Sequence, residues 1–551
     1  MRSLPFILLL LCLVPGRSQD VPLPIRQADV YGLLREYNVF SEGSIQMALA
    51  PLSEKKVYEA LCAADSITGL TPRLRKEIEA LKHRLAPAYA HPETSLTYPR
   101  SLFTSFGKGP LQGYNEDLFF YRDTLFSFRL RPLLSYEMYS NEAGTESWRR
   151  SGLAFTATAG RHWGFWGSLE DNAESLRLAE DEYLTRRPGG NFKWTGQGGE
   201  YSEARAGLSY AWDWGNVMMA KDHIRWGSGY HGSSILSGRT PSFPWLGLYL
   251  APVKWLEFQY FHGWLISEVI DSSRTAWYTN AFGKERREHY FGKYIAANLF
   301  TLKPWKQLHF SFGNSIVYSD DLPRFTYFIP FLFFKSVDHT LSGAGSNRVG
   351  QNAQMFFDIQ TWQFGWLHAY TSLFVDEVSL GNFWDREKQS NHLGMKIGLA
   401  VYDLPVAGLR SVAEYTRNLP MAYRHNTPVT TFESNRYNLG HYLSDNADEL
   451  YLSLRWAPLP FARLEASYTL WRKGPDYTAE GTARTGLPFM EEEVLRMQEY
   501  KLQASYRILA HLKLFGSLAF SDAGGEGAAH YLPAFYRGKK TTATMGVGWF
   551  H

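Results

Sequence analysis

The residues best placed to do chemistry lie between 221 and 250, in KDHIRWGSGYHGSSILSGRTPSFPWLGLYL. His223, Trp226, Tyr230, His231 and Arg239 fall within this one stretch. Catalytic zinc needs three well-placed protein ligands, and two imidazoles eight residues apart in Gly-rich sequence do not supply them. His231-Gly232-Ser233-Ser234 sets serines beside a histidine but lacks the Gly-x-Ser-x-Gly elbow of an acyl-transfer enzyme. The simpler reading is a segment that folds inward, with glycines for close backbone packing and Pro241 and Pro244 fixing a corner. The carboxylate pairs Asp320-Asp321 and Asp376-Glu377 raise glycoside hydrolysis, which needs two carboxyl groups facing across a cleft. Neighbours on a strand point to opposite faces, so Asp376 and Glu377 cannot pair, and Asp376 reads as a charge partner inside a lumen.

Sugar binding fits the residue types better. The apolar face of a sugar packs on an aromatic ring, and its hydroxyls need polar partners. Trp277, Tyr278, Asn280, Phe383, Trp384, Tyr423, Arg424 and Tyr437 fall in expected loops or strand ends. Of these, Trp277, Tyr278, Trp384, Tyr423 and Arg424 are the candidate polysaccharide-binding residues. A membrane-interface girdle also uses Trp and Tyr and is the competing reading for each.

Such residues need a scaffold, and composition points to one. The 551 residues include 33 Tyr, 36 Phe and 18 Trp, and aromatics make up 16% of the chain. A net charge of +3 does not suggest nucleic acid. No apolar run of about 18 residues exists that would make a spanning helix. Arg2, the apolar stretch Leu4 to Val14 and Gly16-Arg17-Ser18 have the layout of a secretory signal peptide over 1–18. Cys12 lacks the small residues before it that a lipoprotein site needs. Only Cys62 remains after cleavage, so no internal disulfide can form; a lone cysteine in a helical pattern reads as a small core residue.

The remaining chain changes period once. Val30, Leu33, Leu34 and Tyr37 keep helical spacing. A second helix is expected from the N-cap Ser53, with Leu52 and Val57 as a hydrophobic staple. A third opens at Thr71-Pro72, carries Leu74, Ile78, Leu81 and Leu85 on one face, and ends at Pro87. Arg73, Arg75, Lys76, Glu77 and Glu79 read as its solvated face. From about residue 117 the period is two, as in Phe126, Phe128 and Leu130 against Ser127, Arg129 and Arg131, and again over Leu208–Trp214, Leu393–Val401, Leu450–Trp456 and Leu502–Ile508. An exported, aromatic-rich chain with one apolar and one polar face per strand predicts an all-β transmembrane β-barrel of about 16–18 antiparallel strands with a small N-terminal α-helical module. A large secreted β-domain is the soluble competitor. The domain reading is a signal peptide over 1–18, a helical periplasmic or plug module over 19–100, and a barrel over 101–551. Long loops are expected at 171–200, 271–290, 338–352, 419–447 and 474–496. The last strand alternates through Ala543, Met545, Val547 and Trp549 to Phe550, a terminal aromatic of the kind read by the barrel-insertion machinery, although His551 follows it.

The 221–250 stretch resembles a core motif of the Wzi-like capsule-assembly family, as found in bacteroidete-type sequences. The matching parts are Trp226-Gly227, Gly229-Tyr230, Ser234-Ile235-Leu236-Ser237 and the corner from Pro241 to Pro244. Lys254-Trp255-Leu256, His262-Gly263-Trp264-Leu265, LHFSFGNSIVYS at 308–319, Tyr327 to Pro330 and Leu373 to Glu377 follow in the family's order. One departure stands out: the family's His-Arg pair before the LHFSFG-like strand is Ala297-Asn298 here, so that pair's role does not carry over. The resemblance implies an outer-membrane barrel of about eighteen strands, closed by the helical module. It also implies lectin-like retention of capsular or extracellular polysaccharide outside the cell, with no metal or organic cofactor and no catalysis. The expected partners are that polysaccharide, outer-membrane lipid and the insertion machinery, with the protein a monomer. The alternatives are an outer-membrane channel for solutes or polysaccharide, which an open Gly-lined lumen would favour, and a hydrolase, for which no convergent acid/base set is visible.

Overall fold

The computed structural model describes residues 19–89, 117–342, 351–477 and 485–549, apart from 195, 197, 282, 510 and 511. The expected signal peptide, Phe550 and His551 lie outside the described residues.

The period-two region forms a closed antiparallel ring of eighteen long strands, at the upper end of the expected number. The ring closes where the last strand, Gly538–Trp549, pairs with the first, Phe126–Asn141, in register from Ala543 opposite Ser140 to Trp549 opposite Leu134. Two short strands, Phe119–Arg122 and Lys193–Trp194, extend its edges. Closure leaves no open strand edge, as hydrocarbon surroundings demand.

The two faces settle which way the alternation points. Met395, Ile397 and Leu399 are exposed while Lys396 between them is fully buried; Leu452 and Leu454 are exposed while Ser453 is buried. Apolar side chains therefore face out and polar ones face the lumen, the inverse of a soluble sandwich. The strands join through short turns at one end, such as 213–214, 254–255 and 306–307, and, apart from the tight turn at 142–143, through longer loops at the other. Trp163, Trp214, Trp255, Trp305, Trp366 and Trp456 are all exposed, and each lies in or beside a short turn. They form an aromatic belt at that rim, where an indole can meet both lipid and water. In outer-membrane barrels the short-turn rim is periplasmic.

The N-terminal module sits in the short-turn end. Its helices are α1 (Ala28–Phe40), α2 (Glu54–Cys62) and α3 (Pro72–Tyr89). Ser53 caps α2 by accepting a hydrogen bond from Lys56 N at 3.1 Å, and Leu52 and Val57 share the module's core. Three expectations need correction. α3 runs through Pro87 to Tyr89, because a proline in the last turn removes one hydrogen bond without blocking the turns before it. Cys62 closes α2 and is exposed rather than in the core. Arg73 and Glu77 are buried, whereas Arg75, Lys76 and Glu79 are exposed. Arg73 lies between Glu36 of α1 and Glu77, and Glu77 turns to the barrel wall. Glu77 accepts from Phe461 N at 2.6 Å, Arg463 at 2.5 Å and Arg73 at 3.0 Å. Burial alone would raise its pKa, yet Arg463 and Arg73 hold it below the usual carboxylate range. Asp29 meets Lys513 at 2.8 Å, and Glu42 meets Lys306 at 3.3 Å in a short turn.

Removing one partner of a buried ion pair costs about 3–5 kcal/mol. Glu77→Ala is expected to raise hydrogen exchange throughout α1–α3 while the barrel strands stay protected; a module that keeps its protection would show that these contacts do not seat it.

Candidate functional site

The stretch singled out in the sequence crosses the barrel. It leaves the fifth ring strand at Asp222, runs through the lumen as residues 223–242, and re-enters the wall at Phe243. Trp226 is fully buried, edge-on to Phe261 at 5.2 Å and to Phe356 at 6.1 Å. Arg225-Trp226 pairs with Leu49-Ala50 of the helical module, and Gly227 N donates to Ala48 O at 2.8 Å. The module and the crossing segment thus share one small sheet inside the barrel.

The crossing ends on carboxylates of the far wall. Ser228 donates to Asp358 through both N and Oγ, at 2.7 Å each. Tyr230 N and His231 N donate to the two oxygens of Glu414 at 2.6 and 2.7 Å. His231 Nδ1 lies 3.1 Å from Glu449, and its ring stacks on Tyr451 at 4.0 Å. Glu449 stands on the fourteenth ring strand, nine strands from the fifth, halfway round the barrel. A chain can thread this path only with unusual backbone. Gly229 has φ +141°, and a Cβ there would stand 2.2 Å from Gly232 O; Gly227 has φ +97°. Tyr230 is clamped through its hydroxyl by His368 Nδ1 at 2.9 Å and Tyr402 at 2.8 Å.

Two other long loops fold in over this crossing. Ser237 N donates to Leu439 O at 2.7 Å, and Tyr423 donates through its hydroxyl to Ser234 O at 2.8 Å. Arg239 donates to Tyr183 O at 2.8 Å. Pro241 is buried at the returning corner, while Pro244 is exposed on the outer wall as the second residue of its strand. Ser233 donates to Trp226 O, and His223 faces Glu203 at 2.9 Å. The two imidazoles of the stretch therefore serve different carboxylates.

The candidate sugar-binding residues divide between three loops. Trp384 is 90% exposed and meets Phe383 edge-on at 4.8 Å. Trp277 and Tyr278 are exposed on the hairpin 276–287, where Tyr278 donates to Glu285 at 2.6 Å. Tyr423 is 1% exposed, which corrects the expectation of an open loop aromatic: the loop 419–446 folds inward, and this ring seals the lumen. Tyr437 is buried in the same loop. Arg424 is held by Asp445 at 3.2 Å and Asp476 at 2.9 Å. The sequence shows Asp358 only as a charged member of a polar strand face and does not single out Glu414 or Glu449, yet these three hold the crossing segment. Each is a polar member of an alternating strand, which was the one available signal.

No family model and no curated protein matches the sequence. Among solved structures, the fold is similar to that of Wzi, an outer-membrane protein involved in group 1 capsule assembly in Escherichia coli and described as a carbohydrate-binding β-barrel. That match has a TM-score of 0.57 and 12% identity over 97% of this chain and 99% of that one. The barrel of Pseudomonas aeruginosa OccD3 matches with a TM-score of 0.41 and 9% identity over 76% of this chain and 90% of that one. The chain is a large β-barrel that resembles outer-membrane proteins.

Glu414→Ala leaves the N–H groups of Tyr230 and His231 without acceptors, at about 1–3 kcal/mol each. Residues 227–238 are expected to become protease-sensitive in a barrel that stays intact by heat-modifiability; continued resistance would show that the far wall does not hold the crossing. Acid should act on the same region. Burial, with Lys396 adding to it, pushes His441 down to about 3, and burial also lowers His231. A histidine with a folded pKa below its unfolded value near 6.5 contributes stability above that value and loses it as pH falls. The loss is about 1.4 kcal/mol per pH unit per group. Hydrogen exchange at 439–446 is therefore expected to rise between pH 6 and 4, ahead of the strands; a flat profile would contradict this.

Proposed function

We propose that the protein is an outer-membrane β-barrel, exported by the 1–18 signal peptide, that attaches or organises capsular or extracellular polysaccharide at the cell surface without turning it over. The observation that carries this reading is the stoppered lumen. A segment crosses the barrel and is bound to the opposite wall by Asp358 and Glu414, with the helical module in one end and long loops over the other. Such an interior favours surface binding over conduction. Exposed Trp384 and Trp277 on the long-loop rim give a sugar ring a face to pack on. The fold likeness to a barrel described as carbohydrate-binding supports the same reading. The partners on this account are the polymer, outer-membrane lipid and the insertion machinery, with the protein acting as a monomer and without a cofactor.

The test is a deletion strain, comparing cell-bound with shed polysaccharide at equal total synthesis. Polymer should move from cells to medium, and a Trp384→Ala allele should restore retention only in part. Unchanged retention on deletion would end the polysaccharide role and leave the channel as the reading to pursue.

A further inference from the structure

One patch of the outer wall breaks the barrel's rule. Cross-strand register places Met219, Leu246, His262, Ala296 and Ile316 in one row, and Val217, Leu248, Tyr260, Asn298 and Asn314 in the next. Met219 and Val217 are exposed on the outside, so every member of both rows points outward. Yet Tyr260, His262, Asn298 and Asn314 are buried, and two asparagines and a histidine on a lipid-facing wall are costly unless something satisfies them.

The described chain after Tyr318, residues 319–342, does so. It leaves the long-loop rim and descends outside the barrel. Phe328 stacks on His262 at 4.1 Å, and Tyr260 donates to Tyr327 O at 2.8 Å. Asn298 Nδ2 donates to both Pro330 O and Leu332 O at 2.9 Å. Phe331 then stacks on Phe258 at 4.7 Å, only two residues above the lower end of its strand. There the chain turns. Asn314 Oδ1 accepts from Phe334 N at 2.9 Å and starts helix α4 (Phe334–Ser342), which climbs back toward the rim. The asparagine pair, joined at 2.8 Å, thus holds the backbone at the bottom of the dip. The outer side of the dip is apolar: Phe325 is 88% exposed, and Ile329, Phe331 and Phe333 are exposed too. Exposed Ser336, His339 and Thr340 come later, on the climbing limb, where headgroups can meet them.

We propose that residues 320–342 form a re-entrant segment inserted beside the barrel among the acyl chains of the surrounding lipid, and that Phe325, Ile329, Phe331 and Phe333 are its lipid-contact surface. Irregular backbone survives at membrane depth only where its polar groups are paired within the protein, and the asparagine clamp pairs Pro330 O, Leu332 O and Phe334 N at the bottom of the dip. Acyl chains are the occupant because this surface is continuous with the apolar outer wall on either side, such as Val217 and Phe357. The inference rests on the membrane-barrel fold and does not depend on the polysaccharide reading.

The test places the photoreactive benzoylphenylalanine at Phe325 or Phe331 in the full chain, reconstituted in phosphatidylethanolamine–phosphatidylglycerol vesicles. Leu452 on the bare outer wall serves as the lipid control and Trp384 as the water control. Phospholipid adducts are expected at 325 and 331 as at 452, and none at 384. Chain-to-chain adducts would overturn the proposal in favour of a second copy on this face. No adduct at either site, with 452 labelled, would place the segment in water and overturn it as well. Asn298→Leu, with folding checked by heat-modifiability, should lower the adduct at 331 several-fold while leaving that at 452; an unchanged yield at 331 would refute the clamp.

Discussion

Three backbone N–H groups bonded to two buried carboxylates organise the interior. Ser228, Tyr230 and His231 carry them, and Asp358 and Glu414 accept them on the far wall. A carboxylate inside a barrel is tolerable only with donors around it, and a chain crossing a lumen must find acceptors for its own backbone. Each solves the other's problem. Tyr370 also donates to Glu414 at 2.5 Å, and the Lys396 ammonium faces it at 3.8 Å while donating to His231 O. Once the crossing is fixed, it offers a strand edge to the helical module through Arg225-Trp226 and a floor to the loops 175–198 and 419–446. The module, the crossing and the loops are therefore one packed body inside the ring.

The outer surface follows a different constraint, imposed by lipid. Apolar side chains cover it, and tryptophans mark the short-turn rim. Where polar side chains do appear, at His262, Asn298 and Asn314, the chain's own segment meets them, with the Phe328 ring on His262 and backbone groups on the two asparagines. A similar rule operates inside the ring, where Asp358 and Glu414 take their donors from the crossing backbone.

Much of this was legible in the sequence. Period-two alternation from residue 117 marked the strands, and Ser53 and Thr71-Pro72 marked two helix starts. The inward fold of 221–250 was visible in its glycines and Pro241. Alternation alone could not say which face pointed out, since a sandwich and a barrel share the pattern; burial of Lys396 between exposed Met395 and Ile397 decides it. Loop identity was harder. Tyr423 and Trp384 both read as loop aromatics, but only three-dimensional packing separates a ring that seals the lumen from one that stands in solvent. Glu77 looked like a surface charge because its wall partners, Arg463 and Phe461 N, lie almost four hundred residues away, and Arg73 because it is buried between Glu77 and Glu36 of the neighbouring helix. The residues that hold the crossing were hidden for the same reason: on a strand, a polar residue that binds something and one that lines a wall have the same period.

The claim at the centre is that the lumen is stoppered, so planar-bilayer conductance of the reconstituted protein is the most direct measurement. The account predicts no steady pore current. A stable open-pore conductance would mean that the crossing segment is not held across the barrel, and would contradict the binding role built on it.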